Sequence, residues 1–168
     1  MATKKTTRGE LKFYLSCLQQ VTTFEGMSGK GMVAFCDNIE ILTKATDPIL
    51  NAEKKMIETL RTPAVMQAMA IVKSIEDNPN PTEADKANKV LQKAIIDEAE
   101  AELMRFKNES DPMVVAMPTL NKLSESDFFT LIEKNSVTPG TLDVNGNPKA
   151  GIYPVGVQIL KSLIFDKN

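Results

Sequence analysis

The stretch TEADKANKVLQKAIIDEAEAELMRFKN, residues 82–108, decides the fold class. It is built almost entirely from strong helix formers, and Thr82 with Asp85 offers a start signal for a long helix. Ala87, Val90, Leu91, Ala94, Ile95, Glu98, Ala101 and Met104 keep an imperfect apolar stripe along it. The small alanines on that stripe would let a neighbouring helix approach closely, so the stretch predicts a helix packed in a bundle.

Working toward the N-terminus, Asp77-Asn78-Pro79-Asn80-Pro81 ends whatever precedes it, because a residue before proline is pushed out of the helical region. Pro63 opens a helix carrying Val65, Met66, Met69, Val72 and Ile75. Met32 to Leu60 reads as a long helical pattern, with Val33, Cys36, Ile39 and Leu42 on one stripe and Leu50, Ile57 and Leu60 further on. Pro48 interrupts it and predicts a kink or break near Thr46 and Asp47, where Asp47 would cap a new helix. Gly26-Met27-Ser28-Gly29-Lys30-Gly31 reads as a flexible connection. Before it, Thr7 and Glu10 have capping-box spacing, and Leu11, Tyr14, Leu15, Leu18 and Val21 follow at helical intervals.

Working toward the C-terminus, the character changes at Asp111. Met113 to Met117 is a short β-prone run closed by Pro118, and Ser124 to Asp127 caps a brief helix with Phe128, Phe129, Leu131 and Ile132. Thr141 to Val144 and Ala150 to Tyr153 flank Asn145-Gly146-Asn147, which predicts a hairpin. Val155 to Phe165 closes the chain as an apolar helix. The expected fold is α+β, mainly α. A helical part over residues 1–110 is followed by a small hairpin-containing part and C-terminal helix over residues 111–168, in one soluble domain.

Twenty Lys and Arg balance twenty-two Asp and Glu, for a net charge of −2. That balance argues against nucleic acid as the main partner. Lys4, Lys5 and Arg8 make one small basic patch, read as a solvated, frayed end. No apolar run is long enough for a membrane span, and no leader follows the start, so a cytoplasmic location in the producing cell is expected. Cys17 and Cys36 lack partners at metal-ligand spacing and read as small buried hydrophobes.

The chain contains no histidine. Its absence removes Ser-His and Cys-His nucleophile pairs and most zinc sites. Gly26 to Gly31 resembles a phosphate-binding loop only in composition, because Gly31 stands where that loop needs a hydroxyl. Asp97, Glu98, Glu100 and Glu102 spread around their helix and read as a solvated face. Asp143, Asn145 and Asn147 alternate like calcium-loop ligands, but Gly146 and Pro154 break that pattern, which leaves a tight turn. No catalytic, cofactor-binding or metal-binding residues are expected, and no cofactor.

Interaction surfaces remain. Met66, Met69, Met104, Met113 and Met117 fit either a core or an adaptable surface, and a core is the more ordinary use. Val157, Leu160, Leu163, Ile164 and Phe165 make the last helix apolar around nearly its whole circumference, so it either fills the domain's own core or docks on another chain.

The order of elements over Lys12 to Val21, Asn38 to Leu60, Asp97 to Leu123 and Val137 to Ile164 resembles small uncharacterised proteins encoded in the structural gene clusters of tailed bacteriophages. The portion Pro63 to Lys89 is longer than that layout. The resemblance implies a non-enzymatic virion component or morphogenesis factor whose partners are virion proteins or further copies of itself. The alternative is a small regulatory binder or inhibitor of a host protein that presents the acidic helix around Asp97 to Glu109.

Overall fold

The computed structural model describes residues 4–165 of the chain. The fold is α+β and mainly α. Its described elements are β1 (Lys5–Thr7), α1 (Arg8–Gln19), α2 (Gly29–Leu60), α3 (Pro63–Glu76), α4 (Glu83–Ser110), β2 (Val114–Ala116), α5 (Glu125–Asn135) and α6 (Pro154–Ile164). The chain divides into two compact units, Met1–Asp47 with Val114–Asn168, and Pro48–Met113. The first unit is therefore discontinuous in sequence, and the division does not follow the change of character at residue 111.

In the first unit, β1 pairs antiparallel with β2, with Thr6 opposite Val115. The basic N-terminal segment is thus sheet from Lys5 onward, where a frayed end was expected. Thr7 then ends the strand and caps α1, and both arms of its capping box with Glu10 are formed. The core gathers Leu11, Leu15 and Leu18 of α1, Phe35 and Leu42 of α2, Phe128 and Leu131 of α5, and Leu160, Leu163 and Ile164 of α6. Cys17 is buried as expected, whereas Cys36 is exposed.

Pro48 breaks nothing. Helix α2 runs through it without interruption. A proline inside a helix costs about 3 kcal/mol, while burying one leucine or isoleucine side chain returns about 1.5–3 kcal/mol. Leu42 and Ile49 are both buried, so burial outweighs the missing bond. The buried Thr46 hydroxyl also donates to the carbonyls of Leu42 (2.9 Å) and Thr43 (3.0 Å), one turn before the proline.

The glycine-rich connection is also not a free loop, since Gly29, Lys30 and Gly31 form the first turn of α2. Ser28 caps it, its hydroxyl accepting the Gly31 N–H at 3.0 Å. Ser28 is itself fixed by Asp127, near the start of α5, whose carboxylate accepts the Ser28 N–H (2.7 Å) and hydroxyl (2.9 Å) and the Ser124 hydroxyl (2.7 Å). The carboxylate therefore sits where the N-terminus of α2 would attract an anion, and an internal charge already satisfies that end. The Ser28 backbone bond is the largest of the influences that hold the Asp127 carboxyl below its ordinary range, with the two serine hydroxyls adding to it. Gly31 is required by space, because a Cβ there would lie 2.5 Å from the Asp127 carboxyl carbon.

Two buried asparagines act similarly on irregular chain. Asn38 accepts the N–H of Asn121 (2.7 Å) and donates to its carbonyl (2.9 Å), pairing with the loop as a strand would. Asn135 accepts the N–H groups of Thr22 (2.8 Å) and Thr23 (3.0 Å) and donates to the carbonyls of Thr23 and Leu131. The expected hairpin reduces to a turn with one antiparallel bridge, Leu142 to Pro148. The Asp143 carboxylate accepts the N–H groups of Asn145 and Asn147 and closes that turn. The returning chain does not pair as a second strand. Ile152 instead bridges Ser136 in parallel, and Gly151, at φ +147, keeps a side chain out of the Asn135 carbonyl.

These contacts predict a contrast in urea melts. Gly31→Ala should destabilise by about 1–3 kcal/mol, while Gly29→Ala, which meets open space, should be neutral or slightly stabilising. Asp127→Ala should cost about 2–3 kcal/mol at neutral pH by orphaning the groups it accepts from. Because the folded carboxyl is held low, its contribution is complete above the unfolded pKa of about 3.9 and fades as pH falls through the folded value, so wild type and variant should converge in acid.

Candidate interaction surface

The C-terminal helix belongs to its own core. Leu160 and Ile164 are fully buried and Leu163 nearly so, which resolves the two readings of that helix in favour of the core for these three residues. The end of α6 is held by its last carbonyls: Leu163 accepts from the Lys122 ammonium (2.6 Å) and Ile164 from the Leu123 N–H (2.7 Å). Phe165 is half-buried, its ring 5.0 Å from that of Phe128 and 5.9 Å from that of Phe129. Val157, also half-buried, lines a shallow hollow of about 360 Å³ with Ile132, Val137 and Pro154.

Both units expose large apolar side chains, and in the second they include Met66 and Met69 of α3 and Val90, Leu91 and Met104 of α4. Helices α3 and α4 form an antiparallel hairpin through the loop Asp77 to Thr82, and Thr62 and Thr82 cap their starts. On α3 the covered line is Val65, Ala68, Val72 and Ile75, with Ala68 fully buried. On α4 the covered line is Lys89, Gln92, Ile96, Ala99, Leu103 and Phe106, at alternating spacings of three and four residues. The Lys89 ammonium meets the Glu76 carboxylate at 2.9 Å, and this contact is the main reason that the Glu76 carboxyl is held below its ordinary range.

The stripe expected to pack, Ala87 through Met104, is consequently the outer face of α4. Val90 is 69 % exposed, Leu91 67 % and Met104 55 %. Two apolar stripes share this helix, and periodicity alone does not choose between them. Ile96, Leu103 and Phe106 give the inner line the larger side chains, and Lys89 gives it a partner on α3. Of the five methionines expected mostly in the core, Met66, Met69, Met104 and Met113 are exposed and Met117 is half-buried.

Between the helices of this unit runs an apolar groove. One part, about 180 Å³, is lined by Ile57 and Leu60 of α2, Val65 and Met69 of α3, and Ile96, Ala99 and Leu103 of α4, with Arg61 and Glu100 also on its walls. A second part, about 370 Å³, shares Leu60, Val65 and Ala99 and adds Ile95, Glu98 and Glu102. The groove therefore joins an aliphatic floor to walls that carry charge.

Among the described residues no cluster of three or more metal-ligating side chains occurs, and no helix is long and apolar enough to cross a membrane. Asp97, Glu98 and Glu100 are exposed and Glu102 is half-exposed around α4. No protein-family model, curated protein or solved structure matches the chain.

Core and surface are separable by mutation. Leu160→Glu should abolish cooperative unfolding of the first unit in a thermal melt followed by circular dichroism. Leu91→Glu should leave stability within about 0.5 kcal/mol of wild type, as for an ordinary exposed position.

Proposed function

We propose that the chain is a non-enzymatic assembly protein, a virion component or morphogenesis factor of a tailed bacteriophage, that works by docking partner subunits into the groove of its second unit. The observation that carries this reading is the groove itself, an aliphatic floor with the exposed Met69 and charged side chains on its walls. Burying a half-exposed apolar side chain contributes on the order of 1 kcal/mol, so the handful of residues lining it supports reversible binding. Methionine suits such a surface, because its flexible thioether adapts to a partner helix without a fixed rotamer. The resemblance of the element order to phage structural-cluster proteins supplies the biological setting.

The test is a tagged pull-down from native cells using wild type, Met69→Glu and Ile95→Glu, one variant in each part of the groove. Wild type should recover capsid, portal or tail proteins in stoichiometric amount, and each variant should lose them at least tenfold while remaining folded. Full recovery by both variants would contradict docking at the groove, and recovery of a single host protein would replace assembly with inhibition of that protein.

A further inference from the structure

The outer face of α4 borders the groove, sharing Glu98 and Glu100 with its walls, and its charges are arranged to fit a second copy of itself. At 100° per residue, Ala87, Val90, Leu91, Ala94 and Ala101 share one front, and their side chains are exposed. Alanines at 87, 94 and 101 recur every seven residues and leave room for another helix backbone to come close. Along one flank of that front, within about 60° of arc, stand Lys86 and Lys93 and then Asp97 and Glu100, all exposed. The flank is basic in its first half and acidic in its second.

We propose that the chain self-associates through this face, as an antiparallel α4–α4 pair with Ala94 at the twofold axis. A perpendicular twofold sets each flank beside the same flank of the other copy, running in reverse. Lys93 then stands about 3 Å along the axis from Asp97 of the second copy, and Lys86 the same distance from Glu100, each pair formed twice. Glu83 comes level with Arg105 of the other copy, adding an opposite-charge contact at each end. A parallel pair would instead set this flank beside the opposite one, where Ala84, Leu91 and Ile95 carry no charge, so the antiparallel arrangement is the one that brings Lys93 to Asp97 and Lys86 to Glu100, although it also sets the two Lys93 residues side by side. In the single chain Lys86 meets Glu83 and Lys93 lies 3.9 Å from Glu76, exposed contacts that water screens and that can be exchanged. Glu98 falls within the front opposite Val90, which keeps the association reversible. Lys86 and Lys93 line neither part of the groove, so K86E/K93E separates this surface from docking there.

The test uses the full chain in sedimentation equilibrium, with wild type and two double reversals, K86E/K93E and D97K/E100K. Wild type should dimerise with an affinity that weakens as salt rises, and each double variant alone should lose at least tenfold in dimer affinity by setting like charges side by side. Mixed in equal amounts, the two variants should recover a one-to-one dimer, because every flank contact is again between opposite charges. A wild type that stays monomeric up to about 1 mM, a dimer indifferent to both reversals, or a mixture that fails to recover association would each overturn the proposal.

Discussion

The first unit depends on one carboxylate. Asp127 belongs to the opening turn of α5, where it would ordinarily serve only its own helix, yet it reaches the start of α2 and fixes Ser28, the residue that caps it. One buried negative charge thus satisfies two helix N-termini whose residues lie 99 positions apart in sequence. Gly31 gives way to it, Gly29 to Gly31 become helix instead of loop, and the direction of α2 is set from its first turn. Asn38 and Asn135 extend the same device, because each supplies a side-chain donor and acceptor where the neighbouring backbone has no strand or helix partner. Irregular chain can be buried here only because these three side chains complete its hydrogen bonds.

The second unit is organised differently. Among the described residues its buried apolar side chains are few, namely Ile49, Ala68 and Val72, while methionine, valine and leucine side chains stand in solvent on α3 and α4. A helix with two apolar stripes can satisfy only one of them within a hairpin. Here the inner stripe is used by α3, and the outer one is exposed.

Local signals in the sequence were strong where the physics is local. The capping residues Thr7, Thr82 and Ser124, the opening of α3 at Pro63, the extent of α4 and the short strand around Val115 all follow from side chains within a turn of the backbone they act on. Long-range choices were not legible. No spacing rule connects Asp127 with Ser28, so the glycine-rich segment looked free. Pro48 predicts a kink or break, and the burial of Leu42 and Ile49 that keeps α2 continuous depends on tertiary packing. The strand Lys5–Thr7 is invisible without its partner at Val114–Ala116. In the last helix the apolar residues were read as core or docking surface with equal warrant, and packing assigned Leu160, Leu163 and Ile164 to the core. The exposed candidate surface lies on α4, along a stripe whose periodicity alone points to the interior.

On the reading proposed above, α3 and α4 present a surface that becomes covered when the protein acts. Amide hydrogen exchange, compared between the purified chain and the assemblies it forms in its native cells, tests this most directly. In the purified chain α3 and α4 should show modest protection relative to α1 and α6, rising at least tenfold in assemblies while the first unit stays unchanged. Equal protection of all four helices in the purified chain, with no gain on assembly, would contradict it.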